Sequence, residues 1–222
     1  MSPSLIDILF RPDVFFEHAG TEKESLKIPA LIILAGSIVA VAVGYQMGGL
    51  SAEMMAGAMA GLDTVIYLSV AISAFIGVFV IWLIAAGVFY LVSGYFKGQG
   101  SFNRVLEVVG YGYLPQIAGS LITLVAAFEY LPRVTVPILA KSALEDPAAI
   151  EAATKALMHD PAMMEYTQVS SLIAIVFLLW SANIWIFGLK HARGLSMRDA
   201  AISVGVPVVL YVVYVIYNLG AM

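Results

Sequence analysis

Cysteine is absent and charge is scarce in this sequence, and each shortage narrows what the chain can be. With no thiol, disulfides and thiolate metal sites are excluded. Asp, Glu, Lys and Arg make up 12% of the residues against 61% hydrophobic, too few to cover the surface of a water-soluble globule of 222 residues. The net charge is −4, with no basic stripe of the kind a nucleic-acid partner requires. No compact apolar run followed by a small-residue cleavage site opens the chain, so the N-terminus is expected to be retained. The chain reads as a single all-α domain over residues 1–222, a polytopic membrane bundle whose first partner is the lipid bilayer.

What is present is a set of uncharged runs long enough to cross a membrane. Five spans are expected, at about 28–48, 64–96, 105–128, 169–189 and 200–220. The second would be about 50 Å long as one straight helix, more than the hydrocarbon core of about 30 Å, so tilt, bending near Gly87 or projection must absorb the surplus. Ahead of the first span, residues 1–27 form a polar segment. Leu5, Ile8, Leu9 and Phe16 fall at helical spacing opposite Asp7, Arg11 and Asp13, as in a short interfacial helix broken or bent at Pro12; the competing reading is a segment packed on the bundle. Residues 129–168 form the long connection, with Asp146-Pro147 announcing a short surface helix.

Basic residues set the expected orientation. Eight of the eleven, Arg11, Lys23, Lys27, Lys97, Arg104, Lys190, Arg193 and Arg198, fall on one side, against Arg133, Lys141 and Lys155 on the other. The rule places the N-terminus in the cytoplasm of a cell with its plasma membrane as host, and the 129–168 loop and C-terminus outside.

The chain is organised around Lys97–Ser120, KGQGSFNRVLEVVGYGYLPQIAGS, where an apolar run stops, turns and re-enters the membrane. Glu107 sits one turn inside the boundary with Arg104 at i−3 and Tyr111 at i+4. An intramembrane carboxylate is a functional candidate by default, and the competing structural reading is an ion pair with Arg104 or with the basic 190–198 loop. Arg104, Glu107, Tyr111, Tyr113 and Gln116 are the candidate polar site. Gly36, Ala40, Gly44 and Gly48 recur every four residues and leave one face of the first span without bulk; Gly110, Gly112 and Pro115 do the same on the third, with a bend at Pro115.

Several chemistries lack their residues. VGYGY at 109–113 is no potassium filter, since Val108 stands where threonine belongs and a charged turn precedes it. His18, His159 and His191 all fall in connections, without metal or catalytic spacing, and no cofactor is implied.

The turn GQGSFNRVLEVVGYGYLPQIAGSL and the later WIFGLKHARGLSMRDA, Trp185 to Ala200, resemble the Yip (Ypt-interacting protein) domain family of five-span membrane proteins over nearly the whole chain. The resemblance implies a cytoplasmic N-terminus and an external C-terminus. In eukaryotic members it also implies roles in vesicle trafficking with small Rab-type GTPases. Their long cytosolic tail with an Asp-Leu-x-Gly-Pro motif is missing here, so small-GTPase binding is not carried over and the chain looks like a prokaryotic-type member. The expected function is a non-enzymatic scaffold that organises or recruits membrane proteins or associates with itself; the alternative is a small transporter or channel with a polar path along the third span.

The charge bias makes a direct prediction. Alkaline-phosphatase fusions after Asn103 or Arg193 should be silent and one at the C-terminus active; the reverse pattern overturns the N-in, C-out orientation.

Overall fold

The computed structural model describes residues 4–220, which contain nine α-helices and two short 3₁₀ turns and, among the described residues, no strand. In order these are α1 (Leu5–Phe10), α2 (Pro12–Ala19), α3 (Lys27–Met55), α4 (Asp63–Tyr95), α5 (Phe102–Tyr111), α6 (Leu114–Tyr130), α7 (Pro147–Met158), α8 (Pro161–Arg193) and α9 (Met197–Gly220). Helices α3, α4, α6, α8 and α9 are long and apolar enough to cross a membrane. Outward-facing Leu, Ile, Val and Tyr side chains cover their flanks, as expected where the surroundings are lipid.

The third span departs from expectation. Residues 105–128 are two helices rather than one bent helix, because Pro115 has no N–H to offer the Tyr111 carbonyl. The helical ladder closes instead through Gly112 N–H to Val108 O (3.1 Å) and Tyr113 N–H to Gly110 O (3.2 Å), and restarts with Ile117 N–H to Tyr113 O (3.2 Å). The carbonyl of Val109 takes its donor from outside, the Trp185 indole N–H at 3.0 Å, while the Trp82 indole reaches Leu106 O at 2.9 Å.

The N-terminal segment is likewise two helices, separated at Arg11 and Pro12. Phe15 and Phe16 are buried in the main core, so α2 packs on the bundle instead of resting on it. The long connection is shorter than 129–168 because Asp160 caps α8 by accepting from Ala162 and Met163 N–H, which starts that helix at Pro161. The surface helix after Asp146 is α7, and the surplus of the second span is carried by one continuous α4.

Turn chemistry places α5. Lys97 (φ 59°) and Gly100 (φ 90°) are left-handed, and a Cβ on Gly100 would sit 2.6 Å from the Ala192 carbonyl oxygen, so only glycine fits there. Ser101 then caps α5 by accepting from Arg104 N–H.

Glycines bring the helices together. A Cβ on Gly44 would lie 3.0 Å from that of Ala74 on α4; Gly48 meets Tyr67, Gly36 meets Ile117 of α6, and Ala40 is half-buried beside the same helices. Gly110 abuts Pro29 and Gly112 abuts the Trp185 indole. Leucine at Gly44 should therefore cost about 1–3 kcal/mol and lower Tm in detergent, whereas leucine at Gly77, which has open space around it, should not. Equal melting temperatures for the two variants would show that the Gly44 face is not a packing face.

Candidate functional site

The buried charged residues gather at the end of the bundle where α4, α5 and α8 meet the loops. Helix α5 carries Arg104, Glu107 and Tyr111 down one face at i, i+3 and i+7. Arg104 Nη1 donates to Glu107 Oε2 at 2.7 Å and to the carbonyl of Ala19 at 3.2 Å; Nη2 donates to the carbonyl of Glu22 at 2.6 Å. The fork thus neutralises a buried carboxylate and holds the C-terminal end of α2, where unpaired carbonyls favour a cation. Ser101 Oγ donates to Glu24, tying the same turn to the chain leading into α3.

Two further fasteners lie beside this one. Asp13 Oδ1 of α2 accepts from Lys190 Nζ and contacts His191 Nε2, both at 2.7 Å. Hydrogen bonding from Lys190, then from His191, holds the Asp13 carboxyl below the usual carboxylate range. Arg193 is buried: its Nε donates to Ser93 Oγ at 3.1 Å, its Nη1 to the carbonyl of Gly100, and its guanidinium lies 4.3 Å from the centre of the Tyr90 ring.

Between these contacts is a cleft of about 230 Å³, lined by Phe16, Glu24, Arg104, Glu107, Tyr111 and His191 among others. Tyr111 makes edge contacts with Phe15 (5.2 Å) and Phe16 (6.2 Å), which close the apolar wall.

Of the five candidate polar residues, Arg104, Glu107 and Tyr111 share this cleft. Tyr113 lies in the break between α5 and α6, against Trp185 at 6.0 Å, and Gln116 lies beyond it on α6. The break divides the set, so the five do not line one path. Glu107 pairs with Arg104 as the structural reading anticipates, and the basic 190–198 loop is engaged by Asp13, Ser93 and Gly100 instead. Asp13, Lys190 and Arg193 as interhelix ties were not legible in the sequence. The signal was faint: one acid of α2 spaced from the aromatic pair that α2 buries. No cluster of three or more His, Asp or Glu able to hold a metal occurs among the described residues.

A family model for the Yip1 domain matches residues 6–218. The chain belongs to the Yip1 domain family. A relative, an uncharacterised protein of the archaeon Methanocaldococcus jannaschii, is 38% identical over 125 residues, covering 56% of this chain and 89% of its own length. This Yip1 member is accordingly of prokaryotic type. No solved structure matches it.

The tie at Asp13 makes the docking of α2 pH-dependent. A depressed folded pKa contributes stability that is present above the ordinary value of about 4 and is lost as the pH falls through the lower folded value. With Asp13 about half exposed (48%), the contribution is about 0.5–1 kcal/mol. Wild-type Tm in detergent should decline below pH 4 more steeply than that of Asp13→Asn; parallel curves would show that the tie does not stabilise the fold.

Proposed function

We propose that this Yip1 protein is a non-enzymatic membrane scaffold that organises or recruits other membrane proteins, or further copies of itself, with its N-terminus and the Arg104 cleft on the cytoplasmic side of the cell membrane. The observation that carries this reading is the use made of its charges. Arg104, Glu107, Asp13, Lys190 and Arg193 bind one another or main-chain carbonyls across α2, α5, α8 and the 97–100 turn, fastening elements together at one end. A transport path needs such groups distributed across the membrane and free to exchange partners. A fixed frame needs them spent as they are here.

Glu107 is the residue on which the scaffold and transporter readings differ most. In a scaffold, Glu107→Gln keeps a hydrogen-bond acceptor for Arg104 and lowers stability modestly, by about 1–2 kcal/mol, with no change in proteoliposome permeability. Purified protein should show neither proton- nor ion-dependent flux above empty liposomes, and should be captured with membrane partners or itself by crosslinking in native membranes. A flux that Glu107→Gln abolishes in folded protein replaces the scaffold by a transporter.

A further inference from the structure

The N-terminal helices meet α8 at two heights. At the upper one, Asp13 binds Lys190 and His191. At the lower one, the Trp180 indole N–H donates to the carbonyl of Leu9 at 3.1 Å, and the Phe10 ring lies 6.0 Å from that of Trp180. Trp180 is ten positions before Lys190, about 15 Å along the helix axis. Residues 166–189 of α8 carry no charge and extend about 36 Å, which leaves about 6 Å of play around a hydrocarbon core of about 30 Å. Wherever the boundary falls within that play, Trp180 is about 8–14 Å inside the core, and Leu9 is hydrogen-bonded to it.

Helix α1 is largely apolar: its one carboxylate, Asp7, is tied to Ser4, and the exposed Arg11 that follows it can extend its side chain toward the Asp13–Lys190 level. Several of its end groups are paired: Asp7 accepts from Ser4 N–H (2.7 Å) and Ser4 Oγ (3.1 Å), Arg11 N–H donates to Asp7 O (2.7 Å), and the Trp180 indole serves Leu9 O. Segments in hydrocarbon require this, because no water is present to take an orphaned carbonyl. Ile8 is fully buried in the bundle core, while Leu5, Ile6 and Phe10 turn outward at 49%, 67% and 69% exposure. At this depth the outward face meets acyl chains.

We propose that α1 and α2 form a wedge seated in one leaflet only, the one at the Lys190 end of α8, with Leu5, Ile6 and Phe10 in contact with lipid acyl chains and Trp180 as the positioning donor that holds α1 at depth. The wedge widens the protein in a single leaflet, which gives the scaffold reading a means of acting on the membrane itself. It rests on α8 spanning the bilayer and is independent of which side is cytoplasmic.

The absence of cysteine makes the test direct. Nitroxide labels at Ile6→Cys, Phe10→Cys, Val209→Cys on the lipid-facing side of α9, and Lys23→Cys on the exposed loop are compared in liposomes by collisional relaxation. Labels at 6 and 10 should match 209: relaxed by oxygen and shielded from a water-soluble nickel chelate. If they match 23 instead while 209 remains shielded, the wedge is wrong and the spans stand. If 209 is also open to the chelate, the spanning reading falls and takes the wedge with it. Adding Trp180→Phe should sharpen the spectrum of the label at 6 as α1 loosens; an unchanged spectrum removes Trp180 from its positioning role.

Discussion

A backbone carbonyl surrounded by hydrocarbon must find a donor, and this requirement shapes the breaks in the helices of the bundle. The chain has three tryptophans, and each indole N–H serves a main-chain carbonyl of another element: Trp82 to Leu106, Trp180 to Leu9, Trp185 to Val109. Trp185 makes the interrupted third span tolerable by serving the carbonyl left over where α5 ends, and Trp82 ties α4 to the same helix. The third allows α1 to stop beside α8. Indole suits the task because one polar atom is carried on a large apolar ring that packs as core.

The glycines follow from the same geometry. Trp185 reaches Val109 O because Gly112 has no Cβ; one built there would lie 2.0 Å from the indole nitrogen. Gly188 similarly makes room for Val108 and Phe16, which lets α2 and α5 lie against α8. Close approach and carbonyl satisfaction are therefore one design: small residues admit the ring, and the ring supplies the bond.

Charge is handled differently. At the Lys190 end, each of Arg104, Lys190 and Arg193 bridges elements distant in sequence, and buried Glu107 keeps its counter-ion within the same helix turn. A buried pair of this type adds little net stability over apolar packing, yet deleting one partner with no hydrogen-bonding replacement is strongly destabilising because the other is left buried without compensation. Such ties specify an arrangement more than they strengthen it. That matches a Yip1 protein whose proposed work is to hold a surface in place.

How much of this was visible beforehand depends on how local the physics is. Five apolar spans, the absence of thiol chemistry, the capped helix after Asp146, Arg104 as one of two candidate partners of Glu107 and the small-residue face of α3 were legible in the sequence alone, because length, periodicity, capping and i, i+3 spacing are properties of neighbouring residues. The division of the third span into α5 and α6, the burial of Phe15 and Phe16, the Asp13–Lys190 tie and the assignment of Tyr113 to Trp185 rather than to the Glu107 cleft were decided by the tertiary structure. Pro115 announces a disturbance, but whether the helix bends or breaks depends on whether a carbonyl left over at the end of α5, such as that of Val109, finds a donor on another helix. That donor, Trp185, is 76 residues from Val109, a separation that no local pattern spans.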